Sequence, residues 1–488
     1  MKKQTAGAKA PIDLSRRSFL RTGAAGAAAM TLAKQSASAA EPSDAINIAL
    51  IGYGSQGQTL MRAIQKVASV PVKWVAVCDL LESQAKSAAR AVSAHKPGST
   101  SEYAAYTRVE DMLQAHPEIH AVFIAVPDWL HEPFTSICHQ AGKDVYCEKM
   151  MSNSLEAAAK MVKSQRSSGK LLQIGHQRRS NPRYRYVRDT ILHSVKVCGR
   201  ITHAYGQWNR GVTVPINARY NAEQEKLIKD VGYDNVFEFL NWRWYKKYGG
   251  GPMSDLGAHQ IDIFNWMFGV TPRSVTASGG TDYFKNIVLT PGTAPVTYEH
   301  PDNAIAVYEY DVPGNGLVRV VYQVITTNSS MQAYEKYMGD KGTVVLAEVD
   351  TYNQVYREKW DSDQAKWEGE FFGKGYLKKS ADAVRHKFWE RPRTWYRPDP
   401  WLDKEGVVDV RASTPLDPYE LPIVLNLPYH TPHVENFLQT VHKKGKQTDL
   451  NCPVEDAYQC AVAVIKVNDL VQKGGGRIEF QPGDFTVA

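Results

Sequence analysis

The sequence predicts an α/β fold: an N-terminal Rossmann-type, doubly wound parallel sheet, then a C-terminal α+β region with a large, mostly antiparallel open sheet. Three observations predict it. The stretch INIALIGYGSQG, residues 46–57, is an apolar strand running into three glycines. Continuous apolar strands then alternate with helical segments to about residue 180, as expected of parallel strands covered on both faces. Beyond that point strands with period-two alternation follow one another with few helices between them.

Taken in order, residues 1–39 read as an export signal. Ser15-Arg16-Arg17-Ser18-Phe19-Leu20-Arg21 precedes a weakly apolar Ala/Gly run and Ala37-Ser38-Ala39. Paired arginines before Phe-Leu point to the twin-arginine route and a periplasmic destination. Lys2, Lys3, Lys9, Arg16, Arg17, Arg21 and Lys34 stand here against Asp13, so nearly all of the net charge of +7 lies in the leader. Nucleic-acid binding loses its main support, and no later run reaches the ~18 apolar residues that would anchor the processed chain in a membrane. Six cysteines show no framework spacing and read mostly as small buried residues.

Gly52, Gly54 and Gly57 then fit GxGxxG, with Tyr53, Ser55 and Gln56 between them. The first glycine permits a tight turn, the second lets the backbone approach a pyrophosphate, and the third lets helix and strand pack closely. The next strand, KWVAVCD, ends in Asp79, 22 residues after Gly57, close to the ~20 expected for an acid on the ribose 2′-hydroxyl. That acid would repel a 2′-phosphate, and Leu80 and Leu81 supply no guanidinium, so NAD is favoured over NADP. Strands HAVFIAVP, DVYCEKM and KLLQIGHQ follow, and Asp79, Pro127, Glu148, Lys149 and His176 to Arg178 fall at strand ends, where ligands lie in such sheets. The domain so outlined is 46–180.

A second domain over 181–350 holds a helix near 183–193, strand RITHAYGQW, a helix near 257–268 and strands AIAVYEYDV, LVRVVYQVITT and GTVVLAEV. Residues 351–425 have weak periodicity and read as an insertion or arm; 426–488 return to two helices and a short strand.

Two places could carry chemistry. Lys149, after Glu148 at a strand end, could take a hydroxyl proton as hydride leaves a carbinol carbon; as a bare dipeptide Glu-Lys is equally a solvated surface pair. In GGGPMSDLGAHQ, Asp255 and His259 are i and i+4 and share a helical face, suiting a base or proton relay, with a metal half-site or a cap beside a core histidine as alternatives. Other metal spacings fail, as do nucleophile signatures: Thr135 stands where HExxH needs histidine, and no GxSxG occurs. Trp208, Trp244 and Tyr248 could stack on a sugar ring.

The GxGxxG strand, the PDWLH turn, Glu148-Lys149 and Asp255 with His259 together resemble the glucose-fructose oxidoreductase, inositol dehydrogenase and rhizopine-catabolism (Gfo/Idh/MocA) family, over about 46–345 and more loosely 430–480. The resemblance implies NAD(P)-dependent oxidation of sugars or cyclitols and a homo-oligomer formed through the open sheet. It assigns Lys149, Asp255 and His259 as catalytic, and places His131, Glu148, Gln177, Trp242 and Arg243 by the cofactor; no metal is implied. Met150 departs from the family's usual proline. Export of a folded, cofactor-loaded chain to a compartment without a comparable nicotinamide pool predicts a tightly held dinucleotide restored within each turnover. The reaction is then hydride transfer on a sugar, cyclitol or glycoside, with redox-neutral glycoside hydrolysis as one alternative and a non-catalytic carbohydrate-binding protein as another.

Overall fold

The computed structural model describes residues 45–94, 104–289, 291–358, 364–379 and 418–488. The leader lies outside them. Strand β1 (Ile46–Ile51) is apolar on both faces because both are covered: Ile46, Ile48 and Leu50 enter one core cluster, Ala49 and Ile51 another. It is joined in parallel by β2 (Val72–Cys78), β3 (Ala104–Tyr106), β4 (Ala121–Ile124), β5 (Asp144–Cys147) and β6 (Leu172–Ile174), in the order β3-β2-β1-β4-β5-β6. The crossovers are α1 (Ser55–Ile64), α2 (Glu82–Ala94), α3 (Val109–Ala115), α4 (His131–Gln140) and α5 (Leu155–Ser168). Strand order reverses between β1 and β4, which leaves a crevice at their C-terminal ends.

The edge strand β6 is closed by the C-terminal part of the chain. The Gln447 amide accepts from Leu172 N at 2.9 Å and donates to Leu172 O at 2.7 Å, and Ile174 N donates to Cys452 O. An exposed ladder edge is thereby removed.

Among the described residues the second sheet has ten strands. Its middle is β7 (Ile201–Asn209), β8 (Ser274–Gly280), β9 (Asn303–Val312), β10 (Gly316–Ile325), β11 (Ala333–Gly339) and β12 (Gly342–Leu346), antiparallel except for the β7–β10 pair. Sequence patterning misses two of them. β8 (SVTASGG) is too small and polar to signal a strand, and β11 (AYEKYMG) turns a buried glutamate, Glu335, into the sheet's covered side. Within the stretch read as an insertion or arm, β13 (Gln354–Arg357), β14 (Lys378–Lys379) and β15 (Tyr419–Glu420) extend this sheet; 359–363 and 380–417 lie outside the described residues. β16 (Gly476–Glu479) closes the other edge against β8.

Three helices tie the sheets together. α6 (Ala258–Phe268), preceded by a π-helical turn at Met253–Gly257, is buried on nearly all sides and ends at Gly269 in the left-handed conformation. α7 (Thr431–His442) returns to the first sheet, where Phe437 packs edge-on against Phe123 and Tyr146. α8 (Val454–Gln472) lies against α5, α6 and β8, so one core cluster runs from Ile51 and Ile124 of the first sheet to Tyr308 and Val344 of the second. All six cysteines are buried and unpaired.

Burial pushes the imidazoles of His139 and His176 down to about 4 and that of His433 to about 3. These histidines are neutral when folded but take a proton near 6.5 when unfolded, so stability is full above that value and falls as pH drops toward 4. Asp128, pushed up to about 7 by burial and the nearby Asp255, acts in the opposite sense. At pH 5 each histidine costs on the order of 1 to 2 kcal/mol. Thermal unfolding is expected to shift down by several degrees between pH 7 and 5, and a melting temperature that is flat or rising over that interval contradicts the assignment.

Candidate active site

The crevice side is built by the glycine turn. Gly52 has φ +90°, and a Cβ there would collide with the carbonyl of Ala125; a Cβ on Gly57 would collide with the Gly52 carbonyl. At Gly54 a Cβ would meet nothing within 4 Å, so the backbone faces open space at the start of α1. No side chain caps α1 and no acid lies in its first turn, which leaves its terminal N–H groups and positive dipole end available to phosphate oxygens. Asp79 accepts from Tyr53 N at 2.8 Å and Leu81 N at 3.0 Å, so its carboxylate is fixed beside the turn. These residues fit a bound dinucleotide.

Beyond the turn lies a cavity of about 520 Å³. It brings together Ser55, Gln56, Glu148, Lys149, Gln177, Trp242, Arg243, Asp255 and His259 of the residues singled out from sequence. Gln56 Nε2 donates to Glu148 Oε1 at 2.9 Å and lies 3.0 Å from His430 Nε2, linking α1, the end of β5 and the approach to α7. The absence of a side chain at Gly175 makes room for Glu148, whose carboxyl oxygen would sit 2.9 Å from a Cβ there.

Lys149 follows β5, and its peptide with Met150 is cis. Its Nζ donates to Asp255 O at 2.6 Å and Oδ1 at 3.1 Å. Asp255 Oδ2 lies 3.3 Å from Arg210 and 3.5 Å from Arg243. Burial alone would raise the Asp255 carboxyl, but Lys149, Arg243 and Arg210 outweigh it and hold the group well below the carboxylate range. His259 is moved the other way. Burial, Lys149 and Arg178 keep its imidazole well below its ordinary value, hence neutral, and its Nδ1 is buried without a hydrogen-bond partner. Its ring sits 5.1 Å from that of Trp208. Trp208 is in turn backed by Arg178, which is held by Glu335 and by Glu348 at 3.0 Å. Gln177 donates to the same Glu348 at 3.1 Å.

Some expected residues fall elsewhere. His131 does not reach the cavity: it is buried, with its ring nitrogens 2.7 and 2.8 Å from the carbonyl oxygens of Met150 and Val126, so it braces the backbone on either side of the site. Pro127 and Asp79 are not among the residues that line the cavity, and Asp79 lies at the glycine turn. Asp255 lies on a π-helical turn, so the i, i+4 spacing to His259 spans a change of helix type, although both side chains line the cavity. Of the three candidate stacking aromatics, Trp208 and Trp244 line the cavity, while Tyr248 is fully buried against Tyr233 and Trp129. Among the described residues one buried group, His176, Asp262 and Cys460, has metal-ligand spacing; the Arg179 fork already occupies both Asp262 oxygens.

Sequence reasoning missed Asp128 and Arg210. Asp128 is 5 % exposed, accepts from Gly250 N at 3.2 Å and lines the cavity; its position directly after Pro127, at the end of β4, was the available signal. Arg210 directly follows β7, a neighbourhood that only the folded sheet brings to Asp255.

Residues 46–176 match the model of an oxidoreductase family with an NAD-binding Rossmann fold, residues 229–345 the GFO/IDH/MocA C-terminal domain, and residues 13–33 a twin-arginine translocation pathway signal sequence. The chain is 32% identical over 161 residues to inositol 2-dehydrogenase 2 of Saccharopolyspora erythraea, covering 31% of this chain and 44% of that one. It is 33% identical over 175 residues to 1,5-anhydro-D-fructose reductase of Ensifer adhaerens, covering 35% and 44%. The chain thus spans less than half the length of these curated relatives. An NAD binding oxidoreductase from Klebsiella pneumoniae has the same fold, with a TM-score of 0.61 over 90% of this chain and 100% of that one at 17% identity. The chain belongs to the Gfo/Idh/MocA oxidoreductase family and carries a twin-arginine export signal.

Gly54→Val separates binding from folding, because the added side chain meets open space in the protein but occupies the approach of a pyrophosphate. The variant is expected to keep its melting temperature within about 2 °C while NAD affinity, measured by calorimetry, falls at least tenfold. Unchanged affinity removes the glycine turn from the binding site.

Proposed function

We propose that this member of the family holds NAD tightly and removes a hydride from a secondary alcohol of a sugar, cyclitol or glycoside. The observation that carries the reading is the meeting of Lys149, Asp255 and neutral His259 in one cavity with the end of the glycine turn. Bound NAD supplies the hydride acceptor. His259, kept unprotonated, takes the hydroxyl proton, and Lys149, fixed by Asp255, places an ammonium beside the oxygen on which negative charge develops. NAD rather than NADP is supported by the Asp79 carboxylate, followed by Leu80 and Leu81, which offer no cation to a 2′-phosphate.

Twin-arginine export favours a retained cofactor, and we place the working protein in the periplasm. The outer face of the second sheet supports a homo-oligomer, since Ile305 is exposed there with Val307 and Val321 half-buried beside it.

A specific observation favours a second reading. Asp128 is a carboxyl pushed up to about 7 in the same cavity, so part of it is protonated at neutral pH, and simple dehydrogenation has no use for such an acid. Redox-neutral glycoside hydrolysis does. Oxidation at C3 acidifies the C2–H, elimination across C1–C2 expels the protonated leaving group, and addition of water at C1 with return of a proton to C2 and of the hydride to C3 closes the cycle.

Protein purified without added cofactor and then denatured is expected to release about one NAD per chain; an empty, folded protein overturns the retained-cofactor reading. Lys149→Ala is expected to lower kcat by about 10²- to 10⁴-fold while the released NAD is unchanged. A variant with wild-type turnover removes Lys149 from the chemistry. Cleavage of an aryl glycoside without added NAD and without net NADH selects the second reading, and net NADH with no cleavage the first.

A further inference from the structure

The chemistry-bearing cavity does not end at Trp208. A second cavity of about 300 Å³ adjoins it, and Trp208, Arg210, Glu348 and Tyr429 line both. The first already serves two purposes, since Ser55, Gln56 and Val126 line it on the dinucleotide side and Lys149, Asp255 and His259 on the other. One reacting ring and the end of the cofactor share that space. The second cavity is the adjoining space for any further part of a substrate.

The walls of the second cavity suit a polar ring. Trp208 and Tyr429 offer aromatic surface to the C–H face of a pyranose. Among the described residues, the Gln332 amide and the Ser329 and Tyr429 hydroxyls make no hydrogen bond, so they are free for hydroxyls of a ligand. A separate backbone observation marks the same place. Met331 and Gln332 are consecutive non-glycine residues in the left-handed region, at φ 57° and 45°. Such strain persists where the surroundings over-determine it and collects at ligand clamps; here it carries Gln332 into the cavity wall.

We propose that the second cavity is a subsite for a second saccharide ring, so that the preferred substrate is a glycoside of at least two rings rather than a free monosaccharide. The proposal rests on the sugar-oxidoreductase reading above.

Two variants of the NAD-loaded full chain test it. Gln332→Gly removes the amide and suits the left-handed backbone. Gly211→Phe fills the cavity from a position where a Cβ meets nothing nearer than Ser329 Cβ at 3.9 Å. Methyl glycosides of glucose, galactose and mannose are titrated by calorimetry against maltose, cellobiose, lactose and mannobiose, and absorbance at 340 nm follows reduction of the bound NAD. In the wild type a disaccharide is expected to bind at least tenfold more tightly than its methyl glycoside. Each variant is expected to erase that advantage while moving the one-ring affinity less than twofold. Equal affinity for one and two rings, or variants that weaken both alike, overturn the subsite. Selective disaccharide binding with neither reduction of NAD nor cleavage of the disaccharide leaves the subsite standing and overturns the oxidoreductase reading; no binding by sugars of either size overturns both.

Discussion

The ion pair between Lys149 and Asp255 is the constraint on which the site depends. Lys149 leaves the end of β5 in the first sheet, and Asp255 sits on the π-helical turn before α6, beneath the second, so the pair joins the two halves where the cavity opens. Its partners are largely withdrawn from water, and a lone charge there would be costly. Arg210 and Arg243 complete a group of three cations around one carboxylate. That arrangement adds to what burial does to its neighbours. Lys149 helps to keep His259 neutral, while the Asp255 charge helps burial push Asp128 upward. Burial is the larger cause of both shifts, and each member of the pair adds to one of them while opposing the other.

The cofactor side obeys a steric rather than an electrostatic constraint. Gly52 and Gly57 exist to let backbone meet backbone, whereas Gly54 faces open space in front of an uncapped helix. Gln56 carries the connection onward through Glu148 and His430, so the glycine turn, the end of β5 and the returning C-terminal segment are held in register. The C-terminal helices complete this arrangement: α7 covers one face of the first sheet, and α8 extends a shared core into the second. Residues far apart in sequence are in this way brought to a common crevice, some from strand ends and helix starts and others, such as Thr213, Val214 and Ile216, from the loop over 210–221.

Much of this was legible before folding because local physics determined it. The glycine spacing, the acid at the end of β2 and the apolar parallel strands are short-range signals, and Lys149, Asp255 and His259 stood out by motif. Where the reading failed, tertiary contacts decided the outcome. β11 hides a buried Glu335 that is tolerable only because Arg178 and Tyr184 meet it. His131 lies outside the cavity lining, with its ring nitrogens close to the carbonyl oxygens of Met150 and Val126, a placement that only the folded chain reveals. Arg210 and Asp128 acquire meaning only when β7 and β4 bring them to Asp255 and Gly250.

The most direct test is to follow the transferred hydrogen itself. Protein carrying its bound NAD is mixed with ring-deuterated glycosides, denatured within one turnover, and the released dinucleotide weighed by mass spectrometry. The account predicts that the dinucleotide acquires one deuterium on reduction in the wild type, and that the label is lost in Lys149→Ala and His259→Ala although NAD remains bound. Consumption of the glycoside with no deuterium ever reaching the dinucleotide would contradict it.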